Sequence, residues 1–122
     1  MTPQQQQEYN NLPLDDRRDY DLFASQHPNW DHDMVMKRVG INRQIGLLLG
    51  DNPMEVDIDK KPEFQKIVLE GIDRWMSKYA PRIHQQIGPF IHKAIEKLNY
   101  YIQQGIKFIA SIFETIKALF NT

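Results

Sequence analysis

Residues 89–120 read PFIHKAIEKLNYYIQQGIKFIASIFETIKALF. Phe90, Ile91, Ala94, Ile95, Leu98, Tyr101, Ile102, Ile106, Ile109, Ile112, Phe113, Ile116, Leu119 and Phe120 recur at steps of three and four. That spacing lines one face of a helix. Lys93, Glu96, Lys97, Tyr100, Gln104, Lys107, Ser111, Glu114 and Thr115 occupy the opposite arc, so the segment is amphipathic. The stripe begins at Ile83 and passes 87, 91, 94, 98 and 102 on its way to Leu119. Its period is near 3.6 residues, which predicts a nearly straight helix in a bundle and not a sustained left-handed supercoil. At 1.5 Å per residue, a helix over 89–120 spans about 45 Å. That exceeds the other predicted helices, so its distal half should overhang the bundle.

Working back, Pro62 suits a first helical position and Glu63 its first turn. Phe64, Ile67, Val68, Gly71, Ile72, Trp75, Met76 and Tyr79 draw one broad apolar face, which predicts a helix over 62–79. Pro81 stops or kinks it, and Arg82 to Ile87 form a short helical piece before Gly88-Pro89. Residues 50–61 read as a loop with turn chemistry at Asp51-Asn52-Pro53. A short extended piece is expected there at Val56 and Ile58.

In the front half, Asp15 and Asp16 favour a helix start and His27-Pro28 a stop, giving a helix over 15–25 with Tyr20, Phe23 and Ala24 inward. Asn29 or Asp31 caps the next helix, and Trp30 precedes it as a staple for Met34 or Val35. A single helix over 31–49 scatters its apolar residues around the circumference, so a break at Gly40 is expected. Asn42 then caps a second piece ending at Gly50. Residues 1–13 are polar, with a glutamine run and two prolines. Composition makes them a flexible tail, with docking by Tyr9 and Leu12 as the alternative.

The fold class predicted is all-α: a flexible tail over 1–13 and a single helical domain over 14–122. That domain is an irregular bundle of four or five helices with the terminal helix as spine. The 122 residues are 41% hydrophobic and 25% charged, with a formal net charge of -1. No global basic field draws nucleic acid. Charge is nevertheless uneven. Residues 1–62 carry seven Lys/Arg against eleven Asp/Glu, and residues 82–122 carry five against two. There is no cysteine, which removes thiol chemistry and disulfides. No secretory signal or spanning segment is visible, so the expected location is the cytoplasm.

Residues 40–44, Gly-Ile-Asn-Arg-Gln, resemble the glycine turn and recognition-helix start of helix-turn-helix proteins. The resemblance covers about twenty residues and implies that Lys37, Arg38, Asn42, Arg43 and Gln44 face DNA. The motif departs from the pattern at Met36 and Gly46, and Asp31, Asp33 and Asp51 would oppose phosphates. An ordinary helical hairpin with a glycine bend is the preferred reading.

Asp31, His32 and Asp33, with His27, offer metal-ligand chemistry, but no known ligand spacing occurs. His84 and His92 read as packed or surface histidines. The acidic loop 51–59 lacks the glycine and glutamate of a calcium loop. Ser25, Ser77 and Ser111 are the only serines, and none sits in a nucleophile elbow. No Walker loop or dinucleotide fingerprint is present. The expectation is a non-enzymatic protein with no catalytic residue, metal, cofactor or small-molecule substrate. It would act by contact with a protein partner or with itself, through Phe108, Ile109, Ile112, Phe113, Ile116, Leu119 and Phe120. The alternatives are a DNA-binding regulator dimerising through the terminal helix, and a peripheral membrane-surface protein.

Overall fold

The computed structural model describes residues 1–49 and 62–105. Among them are five helices and no strand: α1 (Pro3–Asn10), α2 (Leu14–Gln26), α3 (His32–Leu49), α4 (Pro62–Tyr79) and α5 (Pro81–Gln104). The molecule is an all-α bundle. The expected loop over 50–61 and the segment after Gly105 lie outside the described residues.

The polar N-terminus is helical, against the expectation of a flexible tail. Thr2 closes a capping box: its hydroxyl accepts the Gln5 N–H at 3.1 Å, and the Gln5 side chain accepts the Thr2 N–H at 2.9 Å. Pro3 is preset for the first turn. Composition predicted disorder because it counted apolar residues without asking where they dock. Leu12 is buried, and Tyr9 meets the edge of Tyr20 at 5.0 Å. The Tyr9 hydroxyl donates to Asp21 at 2.9 Å.

The bounds of α2 match the sequence reading to within one residue, with Asp15 and Asp16 in the first turn and His27 as the final cap. Asp31 caps α3 by accepting the Met34 N–H at 2.9 Å. Trp30 stacks on His27 at 3.7 Å and packs against the core cluster that contains Val35.

The largest departure is Gly40. It does not break α3, which runs unbroken to Leu49. A Cβ at Gly40 would lie 2.7 Å from Trp75 Cε3 and 3.0 Å from Cζ3. The glycine is a notch into which the indole of α4 presses. Interior glycine costs about 1 kcal/mol of helix propensity, and burial of a tryptophan outweighs it.

Helices α4 and α5 form a hairpin with Ala80 alone between them. Here α4 has the predicted ends, but its buried face is shifted. Gln65 and Leu69 are fully buried, whereas Ile67 is 51% exposed. Pro81, not Pro89, opens α5, and Pro89 lies inside the helix. Ile83, Ile91, Ala94 and Leu98 are buried along the predicted stripe, while Phe90 is 55% exposed. The helix ends at Gln104, where Gly105 takes a left-handed conformation at φ 67°. Such a cap favours glycine, and it ends the helix that was expected to continue through this residue.

The core joins Val35, Met36, Val39 and Ile41 of α3 to Val68, Leu69, Ile72, Trp75 and Met76 of α4 and the buried stripe of α5. Tyr20 and Leu12 close it from the front. Among the described residues, no helix is long and apolar enough to cross a membrane.

Candidate functional site

The predicted contact residues Phe108, Ile109, Ile112, Phe113, Ile116, Leu119 and Phe120 lie outside the described residues. What is described is the approach to them. Leu98 is the last buried side chain of α5. Beyond it Tyr100 is exposed, packing edge-on to Tyr101 at 5.9 Å, and Gln103, Gln104 and Gly105 are exposed as well.

The five residues of the nucleic-acid alternative do not form one projecting surface. Lys37 and Arg38 are half-buried, and the Arg38 guanidinium sits 5.7 Å over the Trp30 ring. Asn42 is exposed in mid-helix and caps nothing. Arg43 turns inward: its Nε donates to Asp16 at 2.6 Å and its fork reaches Asp19 at 3.5 Å. Burial disfavours that charge, but the carboxylates outweigh it and raise the Arg43 pKa. Gln44 lies against Gly71 of α4. The turn that the helix-turn-helix resemblance needs is absent, because α3 is continuous.

A second polar cluster ties α1 to the bundle. Glu8 and His32 are both buried, with His32 Nε2 3.3 Å from Glu8 Oε1. Arg82 of α5 donates to Glu8 at 3.3 Å and binds Asp33 through both terminal nitrogens. Burial pushes the Tyr20 phenol up to about 12, and its hydroxyl lies within hydrogen-bond distance of His32 Nδ1, at 2.8 Å.

Desolvation lowers the His32 pKa below its ordinary 6.5, even with Glu8 beside it. Arg82, by hydrogen bonding, holds the Asp33 carboxyl below its ordinary range. For both groups the unfolded chain binds protons first as pH falls. Stability is therefore complete above about pH 6.5, declines below it as unfolded His32 protonates, and declines again below about pH 4 through Asp33. Urea unfolding at pH 7.5 and 5.5 should show this first loss, and His32→Gln should shrink the difference between the two. An equal difference in the variant contradicts it.

The third cluster joins the hairpin helices. Asp73 Oδ1 of α4 accepts from two imidazoles of α5, His84 Nε2 at 2.7 Å and His92 Nε2 at 3.1 Å. The rings lie 6.4 Å apart and 73° to one another. Burial pushes the Asp73 carboxyl up, but the two histidine hydrogen bonds outweigh it and hold it lower than usual. His84 and Asp73 are half-buried; His92 is open to solvent. The three donor atoms lie within 4.8 Å of one another, and this is the one such His/Asp/Glu group of three or more among the described residues. The histidines singled out in the sequence, His27 and His32, are engaged elsewhere, on Trp30 and on Tyr20 with Glu8.

Sequence reasoning left this group as ordinary histidines, although a signal existed. A hairpin folding at Ala80 sets residue 73 level with residue 87, between His84 and His92. Taking Pro89 as a helix start hid that register.

No protein-family model, curated protein or solved structure matches this chain. The fold defines its class as an all-α helical bundle, and the reading of its function rests on its own residues.

Proposed function

We propose that this chain is a cytoplasmic, non-enzymatic helical protein that works by protein–protein contact, as an adaptor or the subunit of an assembly. Residues 106–120 carry the contact, through Phe108, Ile109, Ile112, Phe113, Ile116, Leu119 and Phe120. The observation that carries this reading is how far burial reaches along α5 in the described bundle. Its buried stripe on α5 ends at Leu98, and α5 itself ends at the left-handed Gly105. An apolar pattern at helical spacing then continues in the sequence for fifteen more residues. Apolar surface in such amounts is stabilised by covering it. The partner taken first is a second copy of the chain, since an amphipathic segment with both lysine and glutamate on its polar side suits self-association. Sedimentation velocity of the full chain against a chain ending at Gly105 tests it. The full chain should associate and the shortened chain should not.

A further inference from the structure

We propose that Asp73, His84 and His92 form a binding site for a divalent first-row transition metal of the zinc type. Two imidazole nitrogens and one carboxylate oxygen are a donor set that suits such ions. The backbone arranges the convergence. His84 and His92 lie eight residues apart on α5, about 12 Å along the axis. Even so, both Nε2 atoms reach a single oxygen of Asp73, at 2.7 and 3.1 Å. The two rings therefore lean toward each other over the turn between them.

That turn holds Gly88. A Cβ there would stand 3.6 Å from His84 Nε2 and Cε1. Alanine would be accommodated, but a longer side chain would crowd the space at the His84 imidazole. A buried glycine inside a helix is otherwise unfavourable, and here it leaves that space open. Four-coordinate zinc at about 2.0–2.1 Å sets neighbouring donors about 3.3 Å apart. Asp73 already stands close to that distance from each histidine, so small side-chain rotations admit an ion once each imidazole carries its proton on Nδ1 and frees the Nε2 lone pair. The Asp73 carboxyl is held ionised, as a ligand requires. His92 lies at the solvent edge, so the ion has an entry path, and three protein donors leave a fourth position to water. The bound ion would join α4 to α5 about two helical turns from Ala80, in addition to the apolar contacts along the hairpin.

The test uses the full chain, stripped with chelator, then titrated with Zn2+ by calorimetry and with Co2+ by visible absorption. The wild type should take one equivalent of Zn2+, develop the Co2+ bands of a four- or five-coordinate site, and melt about 5 °C higher or more with saturating Zn2+. His92→Gln should lower the affinity by about 100-fold or more. Because His92 is exposed, its metal-free melting temperature should stay within about 1 °C of wild type. Asp73→Asn should lose the Co2+ bands. Three results would overturn the proposal: no stoichiometric uptake by the wild type, unchanged affinity in His92→Gln, or loss of uptake in His27→Gln with His92 intact.

Discussion

Replacing Asp16 by Asn is expected to destabilise the bundle by about 3 kcal/mol, lowering the urea midpoint by roughly 2 M at an unchanged slope. Asp16 is almost fully buried and serves three helices at once. From α2, its Oδ2 accepts the Trp75 indole N–H of α4 at 3.1 Å, and its Oδ1 accepts Arg43 Nε–H of α3 at 2.6 Å. Asparagine keeps one acceptor and turns an NH2 toward the other donor. One buried N–H then faces another, and the guanidinium loses its counter-charge. Breaking a buried pair costs about 3–5 kcal/mol. The lower end applies because the Arg43 side chain is 29% exposed and partly hydrated. A midpoint shift below about 0.5 M would show that water replaces the carboxylate without penalty.

Glycine substitutions in α3 should act with opposite signs at two positions. Gly40→Ala is expected to destabilise by about 2 kcal/mol, and Gly46→Ala to stabilise by about 0.5–1 kcal/mol. Both exchanges remove the backbone freedom of an interior helical glycine, which favours alanine. At Gly46 nothing lies within 4 Å of the added methyl, so the propensity gain stands alone. At Gly40 the methyl overlaps the Trp75 ring at 2.7 Å. That ring cannot withdraw freely, because its N–H is held by Asp16. Thermal or urea unfolding of the two variants reads both signs. A stabilised Gly40→Ala would mean that the glycine is not a packing notch.

How much of this was legible in the residues follows from the range of each interaction. Helices α2 and α4 begin and end on local signals: carboxylates in a first turn, a proline at the first helical position, a proline after the last. Those signals are read correctly from sequence. The buried stripe of α5 is equally legible, because its period is a property of one helix. Gly40 is not, because its role is set by Trp75, thirty-five positions away. A residue that looks like a helix breaker is in fact a seat for another helix. The N-terminal helix was missed for a related reason. Its stability rests on a capping box, which was there to be read, and on Glu8 meeting Arg82 and His32, which was not. The Asp73 cluster needed the register of the α4–α5 hairpin. That register was within reach once Pro81, and not Pro89, is taken as the start of α5. Prolines in a first turn are favourable, whereas an interior proline such as Pro89 loses its bond to the fourth preceding carbonyl and crowds that carbonyl, a cost that the packing of α5 on α4 outweighs.

The proposed function divides the chain at Gly105, between a bundle with its own core and an apolar segment proposed to cover a partner. The most direct measurement is mass in solution, by sedimentation velocity, of the full chain and of the chain ending at Gly105, with helical circular dichroism and a thermal melt on each. The prediction is a shortened chain that stays helical, melts cooperatively and sediments as a monomer, beside a full chain of at least twice its mass. A full chain that sediments as a compact monomer at high concentration, with a shortened chain that no longer folds, would contradict it and make residues 106–120 part of the core.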